Sequence, residues 1–339
     1  MNMPRLALLA VTLLACTCER KPAPAPQEVA AAELEPPVDL SGPLELHFGW
    51  TPRRLAVVEK VHKTKVERDV TSTYTLEITK RGDDLAIAYR DFHFTSFSGL
   101  NLDDPKVRAE ITEITEIERQ IGATQLGFLV SAEGEFQGLL DIDVIPEVNE
   151  ALLGAKEGAE IRELLANPRA RAWVEQSAAR PWVTWVQTWL GLDLEPGEVR
   201  EGDVEFEFGG ETLLQHVGIE HLGVDPARPG HVRLRHKTIL DDPRYWGSLD
   251  GVITDLVGEV EPDKRSKLQQ VMREVGAELN FLHIRQYEVS LDPRTMLPAW
   301  AKLILRTSIE GSEPGMLEQD IDSLETHEWT FTPVVAETR

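Results

Sequence analysis

Tyr74-Thr75-Leu76-Glu77-Ile78-Thr79-Lys80-Arg81-Gly82-Asp83-Asp84-Leu85-Ala86-Ile87-Ala88-Tyr89 carries the reading of the fold. Apolar residues alternate with polar ones on both sides of Arg81-Gly82-Asp83-Asp84, a run whose glycine and aspartates suit a tight turn. Two half-buried strands joined by such a turn make an antiparallel hairpin. The second strand continues to Phe97, but its apolar register slips from odd to even numbers at Phe92 and Phe94. That slip predicts a bulge near Arg90-Asp91.

The same period of two recurs along the chain. Leu44, Leu46, Phe48 and Trp50 alternate with Glu45, His47 and Gly49, and 54–66 is a further strand. Residues 126–131, the turn 132–135 and residues 136–142 form another hairpin pattern. Later strands are expected over 204–208, 211–222, 230–240, 280–291, 297–309 and 317–331. Helical spacing interrupts them. Asp104-Pro105 has the form of an N-cap followed by proline, and Val107, Ile111, Ile114, Ile117 and Ile121 repeat at helical spacing up to Gly122. Residues 146–190 read as two or three short helices broken at Asn167-Pro168 and Arg180-Pro181, and 251–260 and 263–279 also read as helical. The class expected is therefore α+β: antiparallel β-rich sheets, half-barrel or sandwich-like, with helices covering one face. Whether the domain 44–339 divides into related lobes, 44–200 and 201–339, stays open.

The first 43 residues set the address. Arg5 precedes an apolar segment, Leu6 to Ala15, that is too short to span a bilayer and ends at Leu13-Leu14-Ala15-Cys16. Residues 1–15 thus read as a signal peptide. Residues 16–43 are rich in Pro, Ala and Glu and read as a tether favouring extended polyproline II. No later run approaches 18 uninterrupted apolar residues, so the expected membrane attachment is a lipid on Cys16.

The 339 residues are 42% hydrophobic and 27% charged, an ordinary globular composition, with a formal net charge of -23. Phosphate backbones would be repelled over most of such a surface, so nucleic acid is not an expected partner. Both cysteines, Cys16 and Cys18, lie at the leader junction, which leaves the folded domain without a disulfide, a zinc–thiolate site or a cysteine nucleophile.

These features together resemble a broad group of uncharacterised bacterial lipoproteins: a lipobox, a Pro/Ala tether, long antiparallel strands, Leu126-Gly127-Phe128 leading to Gly134, and a late strand Tyr287-Glu288-Val289-Ser290-Leu291-Asp292. The architecture also resembles the lipoprotein-localisation fold, a curved half-barrel covered by helices. The resemblance implies cleavage before Cys16, lipidation of its sulfur, and an envelope location at the outer membrane more than the inner one, given Thr17 after the cysteine. It carries over no functional residues.

Candidate chemistry is sparse. His216, His221, His231 and His236 flank Asp225-Pro226, and a hairpin centred there would set His216 opposite His236 and His221 opposite His231, the outline of a metal site. Each of those pairs has residue numbers adding to 452. Burying Val217 and Ile219 with Val232 and Leu234 requires an odd sum, such as 451 or 453, and burial of several aliphatic side chains outweighs an unfilled metal site. No metal is therefore expected. Trp182, Trp185 and Trp189 share one helix face, with Trp173 just before them. They read as core, as the wall of an apolar ligand cavity, or as an exposed face for a membrane or partner. The G-x-S-x-G, H-E-x-x-H, G-x-x-x-x-G-K-[ST] and G-x-G-x-x-G patterns are absent, so no catalytic residue, no cofactor and no enzyme are expected. The function expected is a lipid-anchored envelope module that binds an apolar ligand or a partner protein; the alternative is a structural or assembly component of the envelope without a small ligand.

Overall fold

The computed structural model describes residues 42–65, 68–111, 114, 118, 126–208, 211–242, 244–245, 279–311 and 321–334. The leader, Cys16, most of the tether, the helix expected over 251–260 and all but the last residue of that expected over 263–279 lie outside them; Leu279 itself opens a strand. The described residues belong to the α+β class and build a 12-stranded antiparallel sheet with helices on one face.

The hairpin that decides the fold forms where the sequence places it. β3 (Arg68–Arg81) and β4 (Asp84–Phe97) pair through Arg81↔Asp84, and Gly82 takes the positive φ of the turn. The bulge falls as expected: the register shifts between Thr73 and Thr75, opposite Asp91 at φ 56°. β2 (Arg53–Lys63) completes a meander with β3 and β4, and β6 (Phe128–Val130) and β7 (Phe136–Leu139) extend it beyond β4. β5 (Leu100–Asn101) pairs with β4 alone.

The second half is also a meander: β9 (Val199–Phe208), β10 (Glu211–Val224), β11 (Val232–Leu240), β12 (Leu279–Asp292), β13 (Leu297–Gly311) and β14 (Ile321–Pro333). β14 pairs with β2, from Glu325↔Lys63 to Pro333↔Leu55, so the two meanders share one hydrogen-bonded sheet. The stretch expected as a strand over 44–50 is one only at β1 (Leu44–Glu45), which pairs with β8 (Asp193–Leu194). Beyond it the chain lies along the β12–β13 turn instead, with the His47 and Gly49 amides donating to Pro293 O and Thr295 O.

α1 (Pro105–Glu110) starts as expected, with the Asp104 carboxylate accepting from the Lys106 amide. It ends at Glu110, with Ile111 as its C-cap, and Ile117, Ile121 and Gly122 of the expected run lie outside the described residues; Arg108 is fixed to the strand layer. Its guanidinium donates to Leu102 O at 2.9 Å, Phe94 O at 2.7 Å and Glu118 at 2.7 Å. Three helices follow, α2 (Ile145–Leu153), α3 (Ala155–Ala166) and α4 (Pro168–Trp185). α4 runs through Pro181, against the break expected at Arg180-Pro181. Burial of Trp182 and Trp185, which follow on this helix, outweighs the hydrogen bond a proline removes, which costs about 3 kcal/mol. Trp189, expected on the same helix face, does not share their helix: α4 ends at Trp185, Val186 leaves helical geometry at φ -136°, and Trp189 closes a separate 3-10 turn, Gln187–Trp189.

Candidate functional site

Helix α4 closes one part of the sheet's inner face. Trp182, Trp185 and Trp189 are each 0% exposed. Trp182 meets Trp50 edge-on at 5.0 Å, and Phe128 of β6 at 5.5 Å. Trp185 meets Trp329 at 5.8 Å and Phe331 at 5.1 Å, both on β14. The stripe thus bridges both meanders, and its three rings pack into the main core. Trp173 is 41% exposed and takes no part in it. Of the four tryptophans expected as one wall, the structure brings three together and leaves the fourth outside.

Strand register then decides what lies on the same face past the helix. From β11 to β14, the row Leu234, Val289, Ala301 and Trp329 is buried and apolar or aromatic. The next row is His236, Tyr287, Leu303 and His327, and the one after it is Thr238, Arg285, Leu305 and Glu325. Leu240, His283 and Thr307 come next. The face therefore grades from close-packed core into a band of imidazole, guanidinium, phenol and carboxylate.

In that band His236 stacks on Tyr287, with ring centroids 5.7 Å apart and planes 24° from parallel. His283 Nδ1 is 3.0 Å from the Thr307 hydroxyl. Burial first, and the nearby Arg285 and Arg180 guanidiniums after it, push His283 down to about 4. Burial and then Arg285 lower His236 as well. Both imidazoles are neutral at pH 7. His221, 2% exposed, belongs to this face too, since it pairs with Leu234. Among the described residues neither of its ring nitrogens, nor His236 Nδ1, has a hydrogen-bond partner. Phe281 and Tyr245 stack face to face at 4.1 Å at the far end.

On β14 the opposite charge state prevails. His327 donates to Glu325 at 2.7 Å and to Glu59 at 3.0 Å, and Lys63 reaches Glu325 at 2.9 Å. Burial alone would keep His327 neutral, but the bonds to Glu325 and Glu59 outweigh it and raise its pKa to about 9. Burial likewise opposes ionisation of Glu325, yet His327 and Lys63 hold its carboxyl down at about 2. This is a charged, hydrogen-bonded clasp, satisfied within itself.

The histidines weighed as a metal cluster do not converge. Val217 faces Thr238 and Ile219 faces His236, the odd parity that burial requires, so His216 faces Ile239 and His221 faces Leu234. His216 lies exposed against Asp203 at 3.0 Å, and His231 Nδ1 lies 3.3 Å from Pro229 O. Among the described residues no group of three metal-ligating side chains is present. Three aspartates serve local structure: Asp104 caps α1, Asp242 accepts from the Leu214 amide and clamps Arg244, and Asp143 pairs with Arg171. Sequence reasoning missed Arg285, His283, Tyr287 and His327. The one signal that points to them is polar residues recurring at the inward parity of otherwise buried strands.

Fold and site together define a β-sheet protein whose sheet carries, on one face, a helical cover and a histidine–arginine band. No family model and no curated protein matches the sequence. A solved structure described as showing lipid–protein interactions in lipovitellin is similar over 85% of this chain and 26% of that chain, at 7% identity and a TM-score of 0.35. The chain spans about a quarter of that chain's length, and a likeness so slight carries neither fold nor ligand across.

Proposed function

We propose that the protein is a lipid-anchored binding module of the bacterial envelope, held by Cys16 and tethered through 16–43, that takes an apolar ligand against the inner face of its sheet. Its two related lobes, 44–200 and 201–339, would be the two meanders joined at β2 and β14. The observation that carries the reading is the ring nitrogens of the buried His221 and the Nδ1 of the half-buried His236, unpartnered among the described residues and next to the apolar row Leu234, Val289 and Ala301. Leaving a buried polar group unpaired costs about 1–3 kcal/mol. A ligand with one polar end would answer those nitrogens.

Fluorescence of an apolar probe on addition of protein tests the reading. Saturable uptake, reduced when Tyr287 and Phe281 are replaced by smaller residues, is expected. Absence of uptake by the folded protein would favour a second reading, an assembly component of the envelope without a small ligand. The observation favouring that alternative is the close packing of Trp182, Trp185 and Trp189, each fully buried in the main core.

A further inference from the structure

The two edges of the 12-stranded sheet are finished differently. At one end β7 has four residues, its pairing with β6 slips between Leu129 and Val130, Gly138 turns it at φ +136°, and α4 packs against it. A short, irregular and covered strand offers a second chain little to pair with. At the other end β9 has 10 residues and pairs with β10 from Phe208↔Glu211 to Val199↔Glu220 without a shift. Among the described residues β10 is its one partner, so the amide and carbonyl groups on its far side have no strand beside them. Eight of its 10 residues are exposed, and it contains neither proline nor lysine, two of the residues that commonly close such an edge.

Exposed apolar side chains gather at the same place. Val199, Val204, Leu214 and Val224 all lie on the β9–β10 hairpin, and they are four of the seven large hydrophobic side chains exposed among the described residues. Toward the inner face β9 carries Val204, Phe206 and Phe208, and the two phenylalanines form a partly covered rim on the cluster of Leu213, Leu240 and Phe281. Toward the outer face it carries Glu201, Asp203, Glu205 and Glu207 in an unbroken row, each exposed. Their cross-strand neighbours on β10 are Gly218, His216, Leu214 and Thr212, so no lysine or arginine stands across from the row.

A strand added beside β9 would lie about 4.8 Å away, with its side chains in line with these two rows. Opposite charges directly across stabilise such a pair, and like charges destabilise it. A second copy of this chain fails that condition. Two-fold pairing of β9 with β9 sets residues of equal parity opposite each other, and the acidic row then meets itself. We propose that β9 takes up, by strand addition, an extended segment of a partner protein in which basic and apolar residues alternate. Its basic side chains face Glu201, Asp203, Glu205 and Glu207, and its apolar ones continue the rim at Val204, Phe206 and Phe208. Main-chain hydrogen bonds supply the affinity, while the acidic row selects the partner and keeps the edges of two copies apart.

Isothermal titration of the full-length protein with a peptide alternating lysine and valine tests this. The controls are a peptide alternating glutamate and valine, the lysine–valine peptide N-methylated along its backbone, and a Glu201→Lys/Glu205→Lys variant. The lysine–valine peptide is expected to bind the wild type at least about tenfold more tightly than either control peptide, and the variant to lose that preference. Equal affinity for the N-methylated copy would reduce the contact to charge attraction and overturn strand addition. Equal affinity for the glutamate–valine peptide would overturn the charge selection, and no binding of the lysine–valine peptide would overturn the proposal outright. A concentration-dependent dimer of the wild type in sedimentation, dissociated by Val204→Pro, would assign the edge to a second copy instead. Hydrogen exchange on the wild type gives a readout independent of any variant's folding. Amides of β9 that face away from β10 are expected to gain protection at saturating peptide, and unchanged exchange there contradicts the proposal.

Discussion

The indole N–H of Trp182 donates to the carbonyl oxygen of Gly134 across 2.9 Å, joining α4 to the β6–β7 turn 48 residues earlier in the chain. Gly134 can sit there because it has no Cβ. Its φ is +91°, and a methyl group would come within 2.8 Å of the Phe48 ring, which itself packs edge-on to Trp182 at 5.9 Å. The glycine, the phenylalanine and the tryptophan therefore fix one another, and through them the helix is held to the sheet.

Gly134→Ala should destabilise the protein by about 1–3 kcal/mol, from left-handed strain and the clash with Phe48. Trp182→Phe should cost a similar amount, chiefly by leaving Gly134 O buried without a donor. Because both changes break the same contact, the double variant should cost less than the two single costs added together. Denaturant midpoints of the four proteins check this, and strict additivity would show that the bond is not shared.

Trp185→Ala should cost about 3–5 kcal/mol, since its ring is fully enclosed by Trp329, Phe331 and their neighbours. Trp173→Ala should fall within about 0.5 kcal/mol of wild type, because that ring is exposed. A soluble quencher should reach Trp173 and leave Trp182, Trp185 and Trp189 unaffected. Quenching of all four in the folded protein would contradict the enclosed core.

The clasp around His327 predicts a pH dependence with a definite sign. Its folded-state pKa of about 9 lies above the ordinary value of 6.5, so its contribution is fully present below about pH 6.5 and is lost as pH rises through 9. The loss should be on the order of 2–3 kcal/mol between pH 6 and pH 10. His327→Gln should flatten that alkaline limb of the stability curve, and an unchanged limb would show that the imidazolium is not held by Glu59 and Glu325.

Features set by neighbouring residues were legible in the sequence. The Gly82 turn, the bulge at Asp91, the Asp104 cap and the Trp182–Trp185 pair on one helix each depend on spacing within a few positions. Features set by distant partners were not. Which strand β2 would choose as its second neighbour depends on β14, more than 260 residues away, and nothing in either strand's alternation names the other. The segment after β1 alternates as a strand does, yet its amides bond a turn that only the finished β12–β13 hairpin presents. The site falls between these cases. Parity placed Val217 and Ile219 inward with Val232 and Leu234, and so excluded the four-histidine cluster, but parity alone does not say which row meets which. His236, Tyr287, Leu303 and His327 stand in line only because three successive registers agree. Pro181 was misread for a related reason, since the burial that carries α4 through it comes from the sheet and not from the helix itself.

Native mass spectrometry of the full-length protein extracted from membranes, before and after incubation with oleate, tests the central claim most directly, because it reports the anchor and the ligand in one spectrum. The account predicts a chain that begins at Cys16 and carries its lipid, together with a second, non-covalent mass of an amphiphile that gentle activation releases and oleate restores. A chain that retains residues 1–15, or a folded protein that holds no such mass even after incubation with oleate, would contradict it.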